Sequence, residues 1–297
     1  MDQIQLKAYG KVNLGLDVIG KRPNGYHDVR MIMQTVQLFD RLYMKKIKED
    51  EIRLTTNLSY VPCNEQNLVY KAIALLRKEF QIKEGVEVFL EKHIPVSAGM
   101  AGGSTDCGAT LYGLNRIFSL GLNTKQLMEY GVKLGADVPY CILRGTALSE
   151  GIGEVLTRLP SMPKCYILIA KPSISVSTKF VYEHLDLERI EEHPDIDGMV
   201  QALKEQDLEG ITSRMANVLE TVTIPHHPSI AQIKEQMLRT GAMNALMSGS
   251  GPTVFGIYND LEKAKNALYH IRKTRIAKQS YLVEPFNIQK NKKEKRQ

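Results

Sequence analysis

Pro95-Val96-Ser97-Ala98-Gly99-Met100-Ala101-Gly102-Gly103-Ser104-Thr105 joins a strand-like run, Val86 to Ile94, to a helix-like run, Ser104 to Phe118. Three glycines let a backbone turn tightly and approach a ligand closely. A helix start presents free N–H groups and a partial positive charge, so the chemistry this segment suits is phosphate binding. Taken alone, it also fits a plain connection closed by a Ser cap. No Lys follows Gly103, which excludes the Walker-type loop. Gly-x-Gly-x-x-Gly and the His-Arg-Asp and Asp-Phe-Gly pair of protein kinases are absent. A nucleotide held here would need its cation and its carboxylate from elsewhere in the chain.

Phosphoryl transfer requires a cradle, a cation on the phosphates, and a group that orients or deprotonates the acceptor hydroxyl. Three segments offer the missing parts. In Ala8-Tyr9-Gly10-Lys11-Val12-Asn13-Leu14, Lys11 and Asn13 share one face of a strand. A lone strand Lys is ordinarily just solvated. In Leu134-Gly135-Ala136-Asp137-Val138-Pro139-Tyr140, a single carboxylate stands past a helix stop in an apolar run. A turn-forming Asp is the ordinary explanation. Met247-Ser248-Gly249-Ser250-Gly251-Pro252-Thr253 is a second glycine turn, which could equally be a simple connection.

The elements that must position these groups alternate in type. The first 45 or so residues read as strands, with pieces at Leu14–Ile19 and Met31–Leu38 separated by a turn at Lys21-Arg22-Pro23-Asn24-Gly25-Tyr26. Glu51–Thr56 reads as a strand. Leu68, Ala72, Leu75, Leu76 and Phe80 keep helical spacing across Asn67–Phe80. A helix follows the phosphate turn, then another with Thr124 as its cap and Gly135 at its stop, then short strands to Leu159. Pro160-Ser161-Met162-Pro163 marks a boundary between residues 1–160 and 161–286. The second part reads as a strand at Cys165–Ala170, helices at 178–186, 197–205, 207–220 and Ser229–Thr240, a strand at Thr253–Tyr258, a helix capped by Asp260, and a strand near Tyr281–Val283. The mixture predicts an α+β fold in two domains.

Composition narrows the functional classes. The 297 residues are 43% hydrophobic and 24% charged, and no apolar run reaches the roughly 20 residues of a membrane span. The start of the chain lacks the layout of a secretion signal, so a cytoplasmic enzyme without membrane partners is expected. Cys63, Cys107, Cys141 and Cys165 have no metal spacing, and Cys107 and Cys141 read as core thiols. His226 and His227 are adjacent, so in extended backbone they point apart and form no zinc pattern. The net charge is +6, but the last eight residues carry five basic side chains and one acidic one. Residues 287–297 read as a basic, disordered tail. The body is nearly neutral, which argues against a nucleic-acid partner.

Together, Lys11-x-Asn13, the central glycine turn and Ser248-Gly249-Ser250-Gly251 resemble the three motifs of the GHMP small-molecule kinases. Further similar stretches are Arg22 to His27, Gly135 to Pro139, Lys171-Pro172-Ser173 through Ser177-Thr178, and Asn217 to Glu220. The resemblance spans roughly residues 5–285. It implies a ribosomal-protein-S5-like N-terminal domain and a ferredoxin-like C-terminal domain with the site between them. It implies ATP as co-substrate, with Mg²⁺ expected, and phosphorylation of the 2-hydroxyl of a cytidine-diphosphate-linked methylerythritol in isoprenoid synthesis. Asp137 would be the acid–base carboxylate and Lys11 its cationic partner. Residues 95–105 would bind the ATP phosphates, with Asn67 near adenine. Tyr26, His27 and Tyr182 would hold cytosine, two aromatic faces and one hydrogen-bonding edge, with Asn13 and Thr178 nearer the reacting end.

This sequence departs from the family pattern in places. Gly10 stands where Ala is commoner, and Ser97-Ala98 replaces a more glycine-rich start of the turn, which predicts a stiffer backbone. Thr105-Asp106-Cys107 follows Ser104. Asp106 would repel a nearby phosphate unless Mg²⁺ intervenes or the side chain points away. The metal ligands and the oligomeric state are not assigned by the sequence. The competing expectations are a homoserine or mevalonate kinase, a silent ligand-binding relative, and an RNA-binding protein. Tyr26-His27 opposes the first, because those acceptors carry no base. Retention of Lys11 and Asp137 opposes the second, and the near-neutral body the third.

Overall fold

The computed structural model describes residues 1–288, so all but the first two residues of the predicted basic tail lie outside the described residues. Two long strands dominate the first half: β1 (Gln3–Lys21) and β2 (His27–Ile47), joined by the tight turn at Arg22–Tyr26 and paired antiparallel along their length. The sequence shows only fragments of them. Register shifts between Tyr9 and Lys11, Asn13 and Gly15, and Val18 and Gly20 interrupt the alternation that periodicity depends on. β2 pairs at one end with β4 (Gly85–Glu91) and at the other with β5 (Thr146–Glu150). β3 (Ile52–Thr56) runs parallel to β4, and β6 (Val155–Arg158) closes the far edge.

Helices α1 (Leu68–Glu79) and α2 (Gly102–Ile117) cover one face of this sheet. Val69, Ile73 and Leu76 from α1 and Leu111 and Leu114 from α2 meet Leu42, Val86, Val88 and Leu90 in one buried cluster. Full burial of each such side chain contributes about 1.5–3 kcal/mol before entropy. Asn67 caps α1, accepting from the Val69 N–H at 2.9 Å. The next helix, α3 (Thr124–Val132), is capped by Asn123 rather than Thr124, with Gln126 completing a reciprocal capping box. A short helix, α4 (Val138–Leu143), lies where the sequence suggests only strands and turns; Pro139 in its first turn suits a helix start.

The second half holds a four-stranded antiparallel sheet in the order β10-β7-β9-β8, from β7 (Tyr166–Lys171), β8 (Asn244–Met247), β9 (Val254–Tyr258) and β10 (Gln279–Val283). This is the ferredoxin-like order, with the first and third strands of the unit in the middle. Along β7 the side chains alternate: Leu168 and Ala170 face α9 (Ser229–Arg239) and α10 (Leu261–Thr274), while Ile167 and Ile169 face the other way. That second face packs on α6 (Ile196–Glu205), α7 (Leu208–Ser213), and Val12, Leu14, Ile32 and Val36 of β1 and β2. The sheets therefore share a core. After β10 the chain returns to β2, where Gln37 donates to Glu284 O and Phe286 donates to Thr35 O.

The expected helix over 207–220 is two helices. α7 stops at Ser213 and α8 (Glu220–His226) starts afresh. Between them the backbone pairs with β1, through Leu16 N–H to Ala216 O and Val218 N–H to Leu16 O. Those sheet-like bonds outcompete the helical pattern. His226 ends α8, and its Nδ1 lies 2.8 Å from Val222 O, so the expected extended conformation of the His pair is not found there. Among the described residues no helix is long and apolar enough to cross a membrane.

Candidate active site

The glycine turn leads directly into α2. Ser97, Gly99 and Ala101 are all left-handed, at φ 51°, 70° and 56°. Left-handed residues at every second position turn successive N–H groups toward one side, a concavity suited to anions. Ser97 and Ala101 hold this conformation without being glycine, which costs roughly 1–2 kcal/mol each. α2 begins at Gly102, two residues before the sequence expectation, and Ala101 provides no side-chain cap. The first turn thus has no side-chain cap, and Ser104 is not the cap. The Thr105 hydroxyl is already engaged, donating to Tyr9 O at 2.8 Å. Asn67, besides capping α1, donates its amide to Pro62 O at 2.7 Å, while the next residue, Leu68, lies beside Gly103.

The glycine without room is Gly99. A Cβ there would meet Ser248 O at 2.1 Å, whereas one on Gly103 would meet only Leu68 Cδ1 at 3.8 Å. Gly99 is required by the protein's own packing; Gly103 borders open space.

Behind the turn lies a buried ion cluster that sequence reasoning missed. Lys92 Nζ binds both Asp40 and Asp106, the latter at 2.6 Å. The other Asp40 oxygen accepts the N–H groups of His93 and Ile94, just before Pro95. Burial opposes charge on Lys92, but the two carboxylates outweigh it and raise its pKa. Burial pushes the Asp106 carboxyl well up, and Asp40 adds to this against the pull of Lys92. Asp106 therefore points inward, away from the phosphate site. One of its oxygens is held by Lys92 Nζ and the side chain is almost wholly buried.

Lys11 and Asp137 do come together. Their closest approach is 3.9 Å, from Lys11 Nζ to Asp137 Oδ2. Lys11 is almost wholly buried and donates to Asn13 Oδ1 at 2.6 Å. Its backbone N–H donates to Met100 O, which ties the β1 bulge to the glycine turn. Asp137 is the residue before α4 and caps it with no side-chain bond. Its carboxylate is a third exposed, so it can face an acceptor hydroxyl while Lys11 stands beside it.

The late glycine turn closes the arrangement. Ser248 Oγ donates to Gly99 O at 2.9 Å, so the two turns lie against one another. Asn217 Nδ2 donates to both Met247 O and Gly249 O at 2.8 Å, and Glu220 accepts from Met247 N–H. These bonds give Asn217 and Glu220 a structural role in holding the turn. Ser250 Oγ lies 2.8 Å from Thr178 Oγ1, at the start of α5 (Thr178–Glu183). Gly251 precedes a cis Pro252.

α5 also carries Tyr182, whose ring lies 5.1 Å from that of His27 at the start of β2. Burial raises the Tyr182 pKa, and the Asp137 carboxylate adds to it. Burial, aided by Lys21, lowers the His27 pKa. Tyr26 is different. It is 57% exposed at the turn before β2, on the rim rather than in the pair.

Residues 67–145 match the description GHMP kinases N terminal domain, and residues 186–276 match GHMP kinases C terminal. The chain belongs to the GHMP kinase family. Within it, the chain is 58% identical over 286 residues to the 4-diphosphocytidyl-2-C-methyl-D-erythritol kinase of Lachnoclostridium phytofermentans, covering 96% of this chain and 98% of that one. It is 57% identical to the enzyme of the same name from Lachnospira eligens, covering 96% and 99%. A crystal structure of 4-(cytidine 5'-diphospho)-2C-methyl-D-erythritol kinase superposes with a TM-score of 0.81 at 27% identity, over 96% of this chain and all of that one. A homoserine kinase from Cytophaga hutchinsonii superposes at 0.78 with 21% identity, over 97% and 95%, a likeness of fold. A GHMP kinase uses ATP to phosphorylate a small molecule, and the two abutting glycine turns beside Lys11 and Asp137 are consistent with that use.

Proposed function

We propose that this chain transfers the γ-phosphoryl group of ATP to the 2-hydroxyl of 4-(cytidine 5'-diphospho)-2-C-methyl-D-erythritol, in the cytoplasmic synthesis of isoprenoid precursors. The observation that carries the choice of acceptor is the His27–Tyr182 pair, in which Tyr182 stands on the same short helix whose Thr178 meets Ser250 of the late glycine turn. A cytosine needs an aromatic face and a hydrogen-bonding edge, and homoserine and mevalonate need neither. The names of the two bacterial relatives above point the same way. Four free cysteines, three of them buried, suit a reducing compartment.

In this reading the ATP phosphates lie along residues 95–105 against the uncapped first turn of α2. Lys11 neutralises charge on the transferring group. Asp137 orients the acceptor hydroxyl and takes up its proton. A loose transition state makes little demand for a strong base, so positioning and electrostatics carry most of the rate. Thr178 and Asn13 border the reacting end, and Tyr26 lies on the rim. Mg²⁺ prefers oxygen ligands and substrate phosphates. With Thr105 and Asp106 engaged elsewhere, Ser104 and Asp137 are the residues that would help hold it, and it would screen the phosphate charge.

The test is an ATP-consumption assay with homoserine, mevalonate and the cytidine-diphospho acceptor offered in parallel. Turnover with the last alone is expected. Turnover with either of the others in its place would reject the acceptor but leave the family intact.

A further inference from the structure

A cavity of about 1020 Å³ lies apart from Lys11, Asp137 and the two glycine turns. It is lined by the first half of β1, the later turns of α2, the start of α3 and the end of α4, with Phe286 and Ile288 after β10. β1 contributes Lys7 and Tyr9 to it, four residues and two residues before Lys11. α2 contributes Tyr112 and Arg116, at the end opposite the glycine turn. α4 runs from Asp137 at one end to Arg144 at the other.

The lining is unusual in charge. Lys7, Arg116 and Arg144 all border the cavity, and no carboxylate does. Among the described residues none of the three has an acidic partner within 4.0 Å. Burial lowers the pKa of Arg144, whose guanidinium lies 5.6 Å from the Tyr9 ring centre. Desolvating an arginine without a counter-charge is costly unless something anionic repays it. Tyr9, Tyr112 and Phe286 supply aromatic surface alongside.

Arg144 is also strained. It adopts φ 60°, ψ 176°, a region almost reserved for glycine. The neighbouring bonds enforce it: Arg144 N–H to Tyr140 O, Gly145 N–H to Thr35 Oγ1, and Tyr140 hydroxyl to Gly145 O. A glycine would sit there without strain, yet the chain keeps a long cationic side chain aimed at a cavity. Strain of this kind gathers at ligand clamps.

We propose that this cavity is a second ligand site, separate from the phosphoryl-transfer site, for a small organic anion with an aromatic or apolar body. Arg144 and Arg116 bind its anionic group, and the Tyr9, Tyr112 and Phe286 rings bind the body. The probe is 8-anilinonaphthalene-1-sulfonate, an anion on an aromatic frame, titrated by fluorescence into the folded full chain. Saturable binding is expected, undisturbed by saturating ATP or cytidine diphosphate. Arg144→Gln and Arg116→Gln should each weaken it about tenfold or more, the scale of one charge-assisted contact. Arg116 is exposed at the end of α2, so its variant decides the matter should Arg144→Gln fail to fold, and it should retain full kinase turnover. Absence of saturable binding, displacement by either nucleotide, or unchanged affinity in the deciding variant would overturn the site.

Discussion

The turn proposed for the phosphates and the wall proposed for the acceptor meet at the late glycine turn, yet they are built by opposite means. The turn from Pro95 to Thr105 rests on the Asp40–Lys92–Asp106 cluster, is tied to β1 through Met100 and Tyr9, and is packed at Gly99 against Ser248. Its backbone is strained at Ser97 and Ala101 and held there by its surroundings. The acceptor wall has one aromatic pair, His27 and Tyr182, an exposed Tyr26, and one hydroxyl contact from Thr178 to Ser250. A group common to every turnover, the triphosphate, can be met by a rigid cradle whose ordering is complete before binding. An acceptor recognised by a base and a flexible polyol suits side chains that adjust. The contrast predicts that damage behind the turn is structural, while damage to the wall changes substrate affinity alone.

The largest effect should come from Lys92→Met, which leaves two buried carboxylates without their cation. Breaking one partner from such a cluster costs about 3–5 kcal/mol. The denaturation midpoint should fall sharply and ATP affinity with it. A midpoint equal to the parent's would mean that the cluster does not support the turn, and the contrast would lose its rigid side.

Next comes Asp137→Asn, which lies between the two regions. Its side chain makes no cap bond and is partly exposed, so the melting temperature should move by no more than about 2 °C. The turnover number should drop by about 10² or more, the scale of losing an acid–base group. Near-normal turnover would remove Asp137 from the chemistry and leave it a helix-start residue.

What the sequence could and could not disclose follows the same division. Lys11, Asn13, Asp137 and the glycine turns are legible because each is local: a strand face, a carboxylate in an apolar run, glycines before a helix. The Asp40–Lys92–Asp106 cluster is not, since its members are far apart in the chain and look like ordinary surface charges. Only the fold puts them inside. Bulges hid the full length of β1, and sheet-like pairing around Asn217 split a helix that periodicity alone would continue. Of the three residues assigned to cytosine, the structure pairs His27 with Tyr182 and sets Tyr26 on the rim, a distinction that depends on which face the turn presents.

A smaller effect sharpens that distinction. Stacking of a base on an aromatic contributes about 1–3 kcal/mol. Tyr182→Ala should therefore raise the KM for the cytidine substrate by about 5- to 150-fold, with the KM for ATP unchanged. Tyr26→Ala should raise it less, because more than half of that ring faces solvent. Steady-state kinetics with each substrate varied in turn gives both numbers. The reverse order would make Tyr26 the closing face of the pocket, and a rise in the KM for ATP would exchange the two nucleotide sites.

The smallest effect is a pH dependence confined to the wall. Burial, aided by Lys21, lowers the His27 pKa from its ordinary value of 6.5. The unfolded chain then takes up the proton more readily than the folded one. His27 therefore contributes its full share of stability above the unfolded value, and that share is lost as pH falls through 6.5 toward the folded value. The same proton should disturb recognition, since a neutral imidazole offers one donor and one acceptor while the imidazolium offers donors only. The KM for the cytidine substrate should hold steady from neutral pH upward and rise on acidification below 6.5, with the KM for ATP changing less. His27→Gln keeps a donor and an acceptor but does not titrate, so it should flatten that rise. An acid limb that persists unchanged in His27→Gln would assign the titration to another group and leave His27 as packing for Tyr182.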